Sequence, residues 1–253
     1  MLVTLSFLFV KGQQVPSRSF WWGDKFDRGV HIDIDDDDTS YSELSFSEPF
    51  VAGDANKNTI LNLSAGGTSF ELKGATDSLI YAEMKKRNGQ FMLTKEVSDT
   101  VNTLTFKMQG KNQNNNRWSL GDGGNDVSLQ LNTSPVWDMR LKMGAGQVDF
   151  DLAKYKVRHF NFNGGAAELN IKLGDLLPLA DVHVKTGVAD VTISIPESSG
   201  CRIQTKTGLS SKDFVGFTKL DNGLYETPNY QAAANKILIN LDGGLSSFEV
   251  KRY

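Results

Sequence analysis

The stretch Lys142-Met-Gly-Ala-Gly-Gln-Val-Asp-Phe-Asp-Leu152 carries glycines at a spacing used by phosphate-cradling loops. Such a loop works when a helix follows, because the helix N-terminus then presents aligned amides to the anion. Here Asp149 stands where the third glycine of that fingerprint belongs, and an alternating strand pattern follows. Neither the amide array nor the charge suits a phosphate. The acidic run Asp33-Ile-Asp-Asp-Asp-Asp38 opens like a calcium loop, which needs Gly sixth and Glu twelfth. Asp38 and Leu44 occupy those positions, so a solvated acidic loop is the preferred reading. Gly123-Gly-Asn-Asp126 has the look of a calcium-binding β-roll corner, but the other corners lack the Asp.

Nucleophile and metal chemistry meet the same difficulty. His31, His159 and His183 have no partner at the spacing of a zinc site and are expected at the surface. Ser64 lies in Asn62-Leu-Ser-Ala-Gly66, which is not the G-x-S-x-G of a nucleophile elbow. The single Cys201 excludes intramolecular disulfides and thiolate clusters, and is expected to be an inert buried thiol. Asp149, Asp151, Glu168 and Asp190 can form an outward carboxylate row, but charge is the default for solvent-facing strand positions. No catalytic, cofactor-binding or metal-ligating residue is assigned, and the chain is expected to be no enzyme.

The elements that would position any site are strands. Alternation recurs in Ile60-Leu-Asn-Leu63, Val127-Ser-Leu-Gln-Leu131, Leu169-Asn-Ile-Lys-Leu173 and Val191-Thr-Ile-Ser-Ile195, the signature of half-buried β-structure. With Gly144 as origin, apolar residues fall five and three before it (Met139, Leu141) and four, six and eight after it (Val148, Phe150, Leu152). The template repeats at Gly165 (Phe160, Phe162; Leu169, Ile171, Leu173) and at Gly187 (Val182, Val184; Val191, Ile193, Ile195). It fits Gly123 with Trp118, Leu120 and Val127, and it fits Gly66 and Gly244. Gly208 keeps the spacing but has polar Lys212 after it.

Intervals from Gly123 through Gly208 are 21, 21, 22 and 21 residues. The inward phase changes from odd to even offsets across each glycine, so the chain turns there, with Gly supplying positive φ or a close backbone approach. Two all-β architectures satisfy this pattern. One is a β-solenoid, right-handed and β-helix-like, of two-strand coils. The other is an antiparallel meander or β-sandwich with hairpins at the glycines. Near-constant period favours the solenoid. The long intervals, 57 residues before Gly123 and 36 before Gly244, are expected to be edge or capping regions with insertions.

Composition bounds the partners. The 253 residues are 39% hydrophobic and 23% charged, an ordinary globular balance, and are enough to bury a core. A net charge of -3 provides no basic field for nucleic acid. At the N-terminus, Leu2–Val10 is apolar but too short to span a membrane alone. Phe20, Trp21, Trp22 and Phe26 then alternate with cations, as in an interfacial belt. Residues 1–14 are therefore expected to be the end of a transmembrane helix, with a first strand of the soluble fold as the alternative. Residues 15–44 form a leading segment with the acidic loop, and 45–253 form the β-repeat domain. Cations beside the apolar run lean the domain toward the cytoplasmic face.

Leu61-Asn-Leu-Ser-Ala-Gly-Gly-Thr-Ser-Phe-Glu-Leu72, Met139-Arg-Leu-Lys-Met-Gly-Ala-Gly-Gln-Val-Asp-Phe-Asp-Leu152 and His159-Phe-Asn-Phe-Asn-Gly-Gly-Ala-Ala-Glu-Leu-Asn-Ile171 resemble the C-terminal domain of LiaF-like, or toast-rack, proteins of the cell-wall-active antibiotic response. The resemblance runs from about residue 45 to the end. It implies a membrane-associated, non-enzymatic β-scaffold acting through protein-protein interaction in envelope stress, the partner being a membrane sensor histidine kinase. It implies no cofactor and no small-molecule substrate. The alternative is a surface adhesin or glycan-binding β-helix, with Trp118 and Trp137 as aromatic candidates. Self-association through uncapped ends of the coil stack is also expected of such an architecture.

Overall fold

The computed structural model describes residues 32–33, 41–87, 89–109 and 124–253. Residues 1–14, most of the acidic run, and Trp118 and Leu120 lie outside these. The strands are β1 (Ile32–Asp33), β2 (Ser42–Glu48), β3 (Asn58–Ala75), β4 (Ile80–Lys86), β5 (Gln90–Val97), β6 (Val101–Gln109), β7 (Asn125–Leu131), β8 (Val136–Leu152), β9 (Lys156–Leu173), β10 (Leu179–Ile195), β11 (Gly200–Thr207), β12 (Ser211–Asp213), β13 (Thr218–Lys219), β14 (Leu224–Glu226) and β15 (Lys236–Arg252). Two short 3-10 turns interrupt them, and among the described residues there is no α-helix.

The repeat is a parallel stack. Met139 is the register partner of Phe160, Leu141 of Phe162, Val148 of Leu169 and Phe150 of Ile171. Phe160 in turn partners Val182, and Leu169 partners Val191. Residues that the template makes equivalent therefore lie on top of one another, as in a solenoid. A meander would have paired them antiparallel across each glycine. Each of β8, β9 and β10 is a whole coil: one half, a corner at its glycine, then the second half. Inward side chains from both halves merge into one core running from Phe46 to Val250. Phe150, Phe160, Phe162 and Phe248 are among its largest fully buried members. Each such side chain contributes about 1.5–3 kcal/mol through removal from water.

The corners explain the glycines. A Cβ on Gly165 would sit 2.5 Å from the carbonyl oxygen of Gly144, and one on Gly187 would sit 2.8 Å from that of Gly165. Gly244 approaches Gly187 at 2.8 Å in the same way. Close approach of stacked backbone thus selects glycine at these positions. Left-handed backbone is needed beside this column at Gly146, whose φ is +135°.

Layer order departs from chain order. β3 lies between β7 and β8, and β15 lies between β10 and β11. The Gly66 and Gly244 coils are internal layers. The intervening segments themselves do close the ends. At one end β6 and β7 supply the two halves of a coil on β3, and antiparallel β5, β4 and β2 extend them. At the other end β11 and β12 share a coil on β15, and β14 and β13 pair antiparallel beyond β11. The ends of the stack are therefore not bare coils: antiparallel β5, β4 and β2 lie beyond one, and β14, β13 and three-residue β12 lie at the other. Lys212 takes the register position facing Phe248 and is exposed, in the middle of the three-residue β12.

Candidate interaction surface

Alternation places every second residue outside, and the stacked register lines those residues into rows. On the outer side of the first halves, two residues before each corner, the row reads Lys107, Ser64, Lys142, Asn163, Lys185, Asp242, Lys206. One row further out lie Asn62, Arg140, Asn161, His183, Asn240 and Gln204. Lys185 contacts Asp242 at 3.8 Å. Lys107, Arg140, Lys142 and Lys206 are exposed and make no ion pair among the described residues.

A third row on this side reads Ile60, Asp138, His159, Asp181. The ladder shifts register between Trp137 and Asp138, leaving Arg158 as a bulge residue. Bulges re-aim side chains, and this one turns the Arg158 guanidinium onto Asp138. Its Nε donates to Asp138 Oδ1 at 3.1 Å, an Nη donates to Oδ2, and the other Nη donates to Asn58 Oδ1 at 3.2 Å. His159 Nδ1 lies 2.8 Å from Asp138 Oδ1. Burial works to raise the Asp138 carboxyl, but the hydrogen bonds and charges of Arg158 and His159 hold it below its ordinary range. Asp138 in turn raises Arg158. His183 meets Asp181 at 3.1 Å.

The outer side of the second halves has the opposite character. Rows there read Ser69, Gln147, Glu168, Asp190, Ser247 and then Glu71, Asp149, Asn170, Thr192, Glu249. Asp151 and Glu249 face Lys172 and Lys251 at 3.7 and 3.8 Å. Asp149, Glu168 and Asp190 are exposed with no cation against them among the described residues. Near β2, β4 and β7 this side holds an open groove of about 420 Å³, lined by Glu43, Tyr81, Glu83, Lys85 and Asp126.

Between the two sides, the corner carries an outward stripe of increasing size: Gly67, Ala145, Ala166, Val188, Leu245. Val188 and Leu245 are each 57% exposed, and Leu209, beyond Gly208, is 85% exposed.

Trp137 corrects an expectation. It is fully buried, and its indole N–H donates to the Asn132 carbonyl at 2.9 Å, so it offers no face to a sugar. Cys201 is buried, and burial pushes its thiol up, as an inert core residue requires. Ser64 is a half-buried member of a surface row. Among the four carboxylates of the expected outward row, Glu168 and Asp190 are register partners, while Asp149 faces Asn170. His159 and His183 are exposed as expected, but each is held by an aspartate. The Asp138–His159 pair was missed, although each residue stands six before its own corner glycine. Among the described residues no cluster of three or more His, Cys, Asp or Glu is placed to hold a metal.

A family model described as the N-terminal domain of toast_rack, DUF2154, matches residues 31–194. Among solved structures, a candidate cell adhesion protein from Clostridium sporogenes aligns with a TM-score of 0.75 at 21% identity. The alignment covers 84% of this chain and 100% of that one, and at this identity it shows the fold alone. No curated protein matches.

Proposed function

Because the chain belongs to the toast-rack family, we propose that this β-scaffold is a non-enzymatic binding protein of the cell envelope, working as an accessory regulator of a stress response. The observation that carries this reading is the arrangement of free charge on two broad outer sides, where binding needs area and catalysis would need convergence. The partner in this reading is a protein, a LiaF-like relationship to a membrane sensor histidine kinase being its specific form. Residues 1–14 act in it as the end of a membrane anchor, with the domain on the cytoplasmic side. Crosslinking of the full chain in intact cells tests it. Recovery of a sensor kinase with the intact chain, lost on deleting residues 1–14, is the expected result. A full chain that fractionates as soluble and retains no kinase would sink it.

The second reading, a surface adhesin or glycan-binding β-helix, draws on the description of the Clostridium sporogenes protein. It loses Trp137 as a stacking platform. A glycan array that stays silent removes it.

A further inference from the structure

We propose that a second copy of this chain docks against the first, the cationic outer side of one molecule seating on the anionic outer side of the next. This goes beyond the envelope reading and does not rest on it.

The argument starts from what the ion pairs leave over. Among the described residues, the exposed charges without an ion pair include Arg140, Lys142 and Lys206 on one side and Asp149, Glu168 and Asp190 on the other. Both sides belong to the same stack, whose neighbouring strands lie about 4.8 Å apart. Cations two residues before the corner recur in alternate layers, at β6, β8, β10 and β11. That cation row therefore repeats at about twice the strand spacing, while Asp149, Glu168 and Asp190 lie on three consecutive strands, so the two sides are complementary in sign rather than matched charge for charge.

Two further facts favour a second copy. The net charge of -3 is small, so two molecules approach with little overall repulsion. The halves turn their apolar sides toward one core, so the charged sides point away from each other. A contact between unlike sides is heterologous, and it extends to a third molecule as readily as to a second.

Sedimentation of the full chain tests the proposal. At about 20 mM salt, where screening is weak, the weight-average mass is expected to reach at least roughly twice the monomer, and at about 500 mM to return to it. Lys142→Glu with Lys206→Glu, and separately Asp149→Lys with Asp190→Lys, should each be monomeric at low salt. All four positions are exposed strand residues, and circular dichroism confirms that the fold is kept. An equimolar mixture of the two variants, one anionic on both sides and one cationic on both, should associate again. A wild type that is monomeric at low salt overturns the proposal. So does association that ignores salt or survives either double substitution, or a mixture that stays monomeric.

Discussion

In the middle of the stack one strand makes a whole coil; at the two ends two strands must share one. β8, β9 and β10 each run through both halves and round a glycine, and their neighbours supply continuous ladders on both sides. At the first end, β5 and β6 are tied to the preceding turn through one buried carboxylate, as Asp138 ties β8 to β9 within the repeats. Asp54 sits in the 3-10 turn Ala52–Asn56 and accepts from the Val51 amide at 3.1 Å, from Lys95 at 3.1 Å and from buried Asn102 at 2.8 Å. At the far end Arg202 donates to Glu226 at 2.7 Å and lies over the Tyr230 ring, while Phe214 meets Tyr225 edge-on. The contrast teaches that the interior is specified chiefly by backbone geometry and core volume, the Asp138 cluster being a local addition. The ends are specified by individual side chains, because a coil with one neighbour must satisfy its remaining groups locally.

Substitutions can break or sharpen that contrast. Gly165→Val should have the largest effect, about 4 kcal/mol of unfolding free energy by urea titration, because its Cβ would lie 2.5 Å from a carbonyl oxygen. A loss under about 1 kcal/mol would show that the corners yield and that geometry does not specify the middle. Asp54→Ala should cost about 3 kcal/mol, since it leaves Lys95, only 8% exposed, without its partner. An effect as small as that of an exposed ion pair would erase the special status of the end.

The same residue predicts a pH effect. Burial raises the Asp54 carboxyl, but the Val51 amide, Asn102 and Lys95 together bring it below its unperturbed 3.8. A depressed folded-state value means stability that is present above about 3.8 and lost as pH falls through the folded value. Wild type should therefore lose stability below pH 3.8 more steeply than Asp54→Ala in acid-melting curves. Smallest of all should be Gly67→Ala, with no atom within 4 Å of the new Cβ, changing stability by no more than about 0.5 kcal/mol. Gly67 and Gly165 then separate column from non-column glycines by thermal melting alone.

The middle was legible because its register repeats. Met139, Phe160 and Val182 occupy one template position and one row of the core. Extending the alternation two residues back from Met139 would also have placed Trp137 inside. Layer order was not legible, since alternation along β3 or β15 says which side faces inward but not which strand lies next to it. Nor was the Asp54 cluster, whose members lie 41 and 48 residues apart in chain segments outside the period. The charged rows lay between these cases. Their offsets from the glycines were readable, but their sign emerges only after the paired charges are removed.

The position of β15 has a consequence for synthesis. As the chain leaves the ribosome, β10 and β11 emerge before the strand that must lie between them. Until β15 arrives, the inner edge of β11 has no ladder, and Val182 and Val191 of β10 have one neighbouring layer instead of two. Completion therefore waits for a late insertion between segments already made, a step of high contact order that is slow by nature. A nascent chain arrested before residue 236 would hold an open β10 edge, the kind of surface that chaperones shield during translation.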